Sequence, residues 1–222
     1  QATVDRLVAV ALAEHSTPLA VPDDGVREPA VLRRVDGQSV YTVAGAELFT
    51  SLRILAAEQR LVDAAARRAG MVVDEATIAV ALLESTANGV ELNAGQVALV
   101  RAMAGSGARV QVAIAPAGSG KTTAMRALAT AWTEAGGTVL GLAPSAAAAA
   151  ALGAQIDTHT DTLAKLIWSI DHQQLPDWAA QIGPKTLVVI DEAGMADTLS
   201  LDAAVGHILA RGGSVRLIGD DQ

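Results

Sequence analysis

Cysteine is absent from the 222 residues, which excludes disulfides and thiolate metal sites and makes a reducing, cytoplasmic setting the simplest expectation. Aromatic side chains amount to only 2%, so a core has to be assembled from Ala, Val, Leu and Ile. No apolar run approaches the ~20 residues that a bilayer-spanning helix needs, so no membrane association is expected, and the first residues show no signal-peptide pattern. Basic residues are outnumbered 16 to 24, for a net charge of −8. That balance argues against a surface that binds nucleic acid over its whole extent; any nucleic acid would occupy a local groove. Neither the stretch before Val110 (net −3) nor the remainder (net −5) is a basic module.

Apolar material is plentiful, at 51% of residues with a mean hydropathy of +0.34. Its arrangement changes along the chain. Residues 4–14 read as an amphipathic helix. Pro18, Pro22, Asp23-Asp24-Gly25, Pro29 and Gly37 then mark loops, with a short hairpin around 31–43. A long helix is expected from about Ala46 to Ala69, stopped by Gly70, followed by a helix capped by Asp74, a turn at Asn88-Gly89 and a helix begun by Asn93. Beyond Arg109, short apolar runs at 110–115, 138–143, 186–190 and 215–218 alternate with helical patterns at 121–135, 145–155, from 162 onward, and 199–210. Such alternation specifies an α/β fold, a parallel sheet covered by helices on both faces. The expected division is a mostly helical region over 1–91 and an α/β domain over 92–222. The chain begins at Gln1 without methionine and stops just after a strand-like run, which reads as an internal piece of a longer polypeptide.

The run Ala115-Pro116-Ala117-Gly118-Ser119-Gly120-Lys121-Thr122 lies between the first of these strands and its helix. A glycine-rich loop in that position turns its backbone N–H groups toward one point, where a phosphate chain can be gripped. Lys121 is placed to reach β- and γ-phosphates and the Thr122 hydroxyl to ligate Mg2+; Pro116 to Gly120 and Thr123 complete the expected ATP cradle. Ala115 stands where the common pattern has its first glycine. A second half of the site is expected where Leu187-Val188-Val189-Ile190 runs into Asp191-Glu192, with Asp191 on the metal and Glu192 as the general base.

These motifs, with four weaker ones, follow the chain order of superfamily 1 helicases, which the sequence resembles. Gln96 resembles the helicase glutamine that reads the adenine edge, although Asn93 and Gln96 also form a capping-box pattern. Ala143-Pro144-Ser145 and Thr160-Asp161-Thr162-Leu163 resemble motifs that touch single-stranded DNA, which makes Pro144, Ser145 and Thr162 candidate DNA contacts. Gly219-Asp220-Asp221-Gln222 resembles the motif whose glutamine senses the γ-phosphate, so Gln222 joins Lys121 and Glu192 as a candidate catalytic residue. The nearest likeness is the RecD-like branch, and within it the helicase half of MobF-type conjugative relaxases (TraA-, TrwC- and TraI-like). Asp191-Glu192-Ala193-Gly194-Met195 carries it, together with Tyr41-Thr42 and Glu58 as a lead-in.

The resemblance implies a RecA-like P-loop ATPase domain, Mg-ATP, 5′ to 3′ movement on single-stranded DNA, and a second RecA-like domain of the same polypeptide as partner. Conjugation or other DNA-processing proteins are further possible partners. A RecD-type repair helicase and a degenerate ATP-binding scaffold stay open as alternatives. A small-molecule kinase would explain the phosphate loop alone, without Asp191-Glu192 and Gln222. Scattered His15, His159, His172 and His207 do not make a relaxase metal cluster, and Tyr41 reads as a packing residue. Trp132, Trp168 and Trp178 are expected to pack within helices, and Lys165 and Lys185 to be lone solvated charges.

Overall fold

The computed structural model describes residues 2–19, 29, 31, 33–35, 48–116 and 118–220. The chain divides into two compact units, Gln1–Ala56 and Ala57–Gln222. The first contains helix α1 (Ala2–Glu14) and a two-residue antiparallel pairing of strand β1 (Thr17–Pro18) with strand β2 (Phe49–Thr50). Most of the expected hairpin at 31–43, and Tyr41 with it, lies outside the described residues.

Helix α2 (Leu52–Ala65) leads from the first unit into the second. It starts six residues later than expected from periodicity, because Phe49 and Thr50 are spent on β2 and the Ser51 hydroxyl accepts the N–H of Ile54 at the helix start. Helices α3 (Glu75–Ala87) and α4 (Ala94–Gly105) follow, each with its expected cap, Asp74 and Asn93. Both belong to the same compact unit as the sheet.

The rest alternates: strand β3 (Val110–Ile114), helix α5 (Lys121–Glu134), β4 (Thr138–Ala143), α6 (Ala146–Ile156), β5 (His159–Thr162), α7 (Leu163–Asp171), α8 (Asp177–Ala180), β6 (Thr186–Ile190), a 3-10 turn (Ala193–Met195), α9 (Thr198–Ala210) and β7 (Ser214–Gly219). Five strands form one parallel sheet in the order β3-β7-β6-β4-β5. This is the parallel, helix-covered α/β fold that the alternation specified, of the P-loop type that the glycine-rich loop implied, with a helical region before it. Strand β5 was not anticipated. Its sequence, His-Thr-Asp-Thr, is polar because it is an edge strand, so no apolar run announces it.

Alternate residues of each inner strand enter opposite cores. Leu187 and Val189 pack with α3, α4, α5 and α6, whereas Val188 and Ile190 pack with α7, α8 and α9. The strand order explains the division. From β3 to β4 to β5 the chain advances across the sheet, and from β5 to β6 to β7 it returns. Crossovers of one hand place the advancing helices on one face and the returning ones on the other.

One buried side chain breaks the apolar pattern. Arg216, in the middle of β7, has no exposed surface and, among the described residues, no carboxylate partner. Its Nε and Nη2 donate to Met103 O at 3.1 and 2.6 Å, and Nη1 donates to Ala108 O and Val215 O at 3.1 and 3.0 Å. Trp132 lies over the guanidinium, 5.7 Å from ring centroid to Cζ. Burial pushes its pKa down to about 10, so it is still charged at neutral pH. Met103 is in the last turn of α4, where carbonyls lack helical partners and the helix dipole is negative. Its neighbours are satisfied in the same way: Gln111 Nε2 donates to Ala102 O, and the Val73 N–H donates to Ala104 O.

Arg216→Lys keeps the charge but cannot reproduce the planar fork. We expect it to lower the urea midpoint with unchanged slope, a loss of about 1–3 kcal/mol, because a buried carbonyl is left without a donor.

Candidate functional site

A parallel sheet leaves its strand ends at one edge, and ligands of open α/β sheets bind there. Along this edge, β3 leads into the glycine-rich loop, β7 ends next to Asp220, β6 ends at Asp191, β4 at Pro144-Ser145 and β5 at Thr162. All described candidates except Gln96 therefore sit at the carboxyl ends of strands, in the turns that follow, or, as Lys121, Thr122 and Thr123 do, in the first turn of the helix after the loop. Gly118, Gly120, Lys121, Thr122, Thr123, Asp191, Glu192 and Asp220 line one open cleft of about 700 Å3, with Ala148, Ala151 and Gln155 of α6 on its wall. Ala117 and Gln222 lie outside the described residues.

The loop is shaped for an anion. Gly118 and Gly120 have φ of 75° and 76°, a left-handed backbone that other residues adopt only with strain. Helices α3, α4, α6, α7 and α9 each begin at a side chain whose oxygen accepts a first-turn N–H. Helix α5 begins at Gly120, which has none to offer, so its N-terminal N–H groups face the cleft without a capping oxygen. These groups, the Lys121 ammonium, the Thr122 hydroxyl and the Asp191 carboxylate form a donor set that fits a polyphosphate and a divalent cation.

Gln96 uses both ends of its amide, one on its own helix cap and the other on this loop. Its Oε1 accepts the Asn93 N–H at 2.8 Å, completing the capping box, and its Nε2 donates to Ser119 O and Gly120 O at 3.2 and 3.1 Å. A Cβ at residue 120 would fall 2.1 Å from Gln96 Nε2, so the close approach requires glycine there.

The Lys121 ammonium donates to Ala115 O at 2.6 Å and Pro116 O at 2.9 Å, and it pairs with Asp220 Oδ1 at 2.5 Å. Asp220 was absent from the residues expected to act. Its signal is the same as that of Asp191, an acidic residue closing an apolar strand. Asp191 is partly buried, and its N–H donates to Leu142 O of β4 at 2.9 Å. Burial raises its carboxyl pKa above the ordinary value. The Asp220 charge adds to the rise, and the Glu192 N–H and Lys121 oppose it. Glu192 has φ of 50° and ψ of 38°, a left-handed conformation that costs a non-glycine residue about 1–3 kcal/mol. That turn presents its exposed carboxylate to the cleft.

Ser145 and Thr162 are both N-caps: the Ala148 N–H donates to Ser145 Oγ at 3.1 Å, and the Lys165 N–H to Thr162 Oγ1 at 3.2 Å. Lys165 is not a lone charge, since its ammonium pairs with Asp161 Oδ2 at 2.6 Å, one helical turn back. Trp132 is buried and donates to Lys185 O, as a packing residue should. Trp168 departs from that expectation: it is 52% exposed and stacks on His172 at 4.1 Å. Its helix buries Leu163 and Leu166 instead, which turns the indole outward.

Residues 91–222 match the AAA domain family, and the chain belongs to that family. It is also similar to conjugal transfer proteins. It is 32% identical over 168 residues to the conjugal transfer protein TraA of Agrobacterium fabrum, covering 73% of this chain and 14% of that protein. With the probable conjugal transfer protein TraA of Sinorhizobium fredii it shares 34% identity over 116 residues, 51% of this chain and 10% of the relative. With TraA of Rhizobium radiobacter the identity is 33% over 117 residues, 52% and 10% respectively. The chain thus spans only 10% to 14% of the length of these relatives.

The raised Asp191 pKa has a consequence for stability. A carboxyl whose folded pKa lies above its unfolded value costs stability once pH exceeds the unfolded value, because the unfolded chain ionises more readily. Asp191→Asn removes that cost. At neutral pH we expect a melting temperature raised by about 1–2 °C, and no gain near pH 3, where both states are protonated; calorimetry at the two pH values distinguishes them.

Proposed function

We propose that this chain is the first ATP-binding motor segment of a DNA helicase that moves 5′ to 3′ on single-stranded DNA, in a parent of the conjugal-transfer type. The observation that carries the reading is the gathering of the glycine loop, Lys121, Thr122, Asp191 and Glu192 around one cleft, in a chain similar to proteins named for conjugal transfer.

In this reading the uncapped N–H groups of α5 and the loop hold the β- and γ-phosphates of ATP, and Lys121 moves onto them. Thr122 and Asp191 would hold Mg2+, which offsets charge on the phosphate oxygens. Glu192, presented by its left-handed turn, takes a proton from the attacking water. Gln96 stands at the shoulder of the loop, where a base entering the cleft exchanges the bonds to Ser119 and Gly120 for its own edge. Pro116 to Gly120 and Thr123 complete the cradle, and Gln222 monitors the γ-phosphate.

The DNA side of the proposal uses the far end of the same edge. Pro144-Ser145 and Thr162 open helices α6 and α7 at the ends of β4 and β5, where helix N-termini suit backbone phosphates. Asp191 and the strand before Ser145 are directly joined through the Asp191 N–H on Leu142 O, so a change at the metal position has a short path to the DNA contacts. A second RecA-like domain would close the cleft and supply the arginine that stabilises the transition state. No described helix is long and apolar enough to cross a membrane.

The test is titration of a fluorescent Mg-ATP analogue into the chain, with and without an oligothymidine strand. Lys121→Ala should abolish saturable binding. Glu192→Gln should bind normally but lose at least a hundredfold in any DNA-stimulated hydrolysis. Equal binding by the wild type and Lys121→Ala would sink the assignment.

A further inference from the structure

Lys121 is fully committed in the absence of ligand. An ammonium has three protons, and three acceptors take them: Ala115 O at 2.6 Å, Pro116 O at 2.9 Å and Asp220 Oδ1 at 2.5 Å. The lysine side chain is only 12% exposed, so water offers little substitute. A phosphate can therefore be met only by breaking one of these contacts. Two of the acceptors are neutral carbonyls of the loop that carries the lysine. The third is anionic and belongs to another element, the end of β7.

The charges around the cleft decide what happens next. Asp191, Glu192 and Asp220 all line it against two cations, Lys121 and Arg126, and Lys121 is the one that Asp220 neutralises. If a polyphosphate takes Lys121, Asp220 is left unpaired beside Asp191 and a highly charged ligand. Like charges at such distances in a partly desolvated cleft repel strongly. A divalent cation arriving with the phosphates removes that repulsion, because it brings the positive charge that the lysine has withdrawn.

We propose that Asp220 is a positioning residue that holds Lys121 away from the phosphates until a divalent cation enters with them, so that the cleft discriminates metal-bound from metal-free polyphosphate. The inference rests on the phosphate-site reading above and adds a role to a residue which that reading left unused.

The test is competition of ATP against the fluorescent analogue, in excess Mg2+ and in excess EDTA, with the wild-type chain, Asp220→Asn, Asp220→Glu and Lys121→Ala. Asp220→Asn should tighten metal-free ATP about five- to tenfold and Mg-ATP less than about twofold. Asp220→Glu, which keeps the charge, should retain the wild-type ratio. A role confined to stability would shift both affinities together. The position is an exposed strand end; if Asp220→Asn does not fold, Asp220→Ser carries the same expectation. An unchanged ratio in the neutral variant, with normal wild-type binding that Lys121→Ala abolishes, overturns the inference and leaves the phosphate site standing. Absence of binding in every variant overturns both.

Discussion

A guanidinium without a carboxylate holds the centre of the molecule together. Arg216 spends its protons on Met103, Ala108 and Val215 carbonyls, which fastens the last turn of α4 to β7. The other end of α4 is closed by the Asn93–Gln96 box, and the Gln96 amide reaches the carbonyls of Ser119 and Gly120. Helix α4 is thus a strut between a central strand and the phosphate loop, with a buried cation at one end and a glutamine at the other. A carboxylate partner for Arg216 would have satisfied the charge locally. Backbone carbonyls at a helix terminus satisfy it while joining two elements, and the dipole of α4 makes that end the favourable one.

The same economy appears along the carboxyl edge of the sheet. Strand order decides the neighbours there: the loop after β3 meets Asp220 at the end of β7, Asp220 meets Asp191 at the end of β6, and Ser145 stands one strand further on. Charge is dense beside the glycine-rich loop, where Lys121 and Arg126 face the carboxylates of Asp191, Glu192 and Asp220. On the other side, Ser145 and Thr162 contribute hydroxyls already used to cap their own helices. The two sides share a fold principle, helix N-termini at strand ends, but differ in whether a side chain has closed the terminus. At the start of α5, Gly120 leaves it open.

Much of this was legible in the amino-acid order. Strands 138–143 and 186–190 have the bounds that their apolar runs indicate, and the Asp74 and Asn93 caps stand where short polar residues precede periodic ones. What the amino-acid order does not reveal depends on partners distant in sequence. Strand β5 is polar because one of its edges is free, and the start of α2 was displaced by a pairing with Thr17 and Pro18. Arg216 hides inside an apolar strand pattern, and its partners lie in α4 and the loop after it. At the cleft, the residue types and their order were readable, whereas the pairing of Lys121 with Asp220 was not, since it depends on β3 and β7 being neighbours. Trp168 shows the converse: a helical pattern predicts that a tryptophan can pack, but the choice of buried face belongs to the neighbours.

The strand order also bears on how the chain is made. Strand β3 has one hydrogen-bonded neighbour in the described sheet, and it is the last strand: Val110 pairs with Val215. During synthesis from the N-terminus, β4, β5 and then β6 can assemble on one another while β3 still has no place in the sheet. Its ends can meet those of β7 only after about a hundred further residues have emerged, and such long closures are slow relative to local ones. Lys121 acquires its partner on β7 at the same moment. The phosphate loop is made about a hundred residues before β7, but its pairing with that strand waits until β7 has emerged from the ribosome.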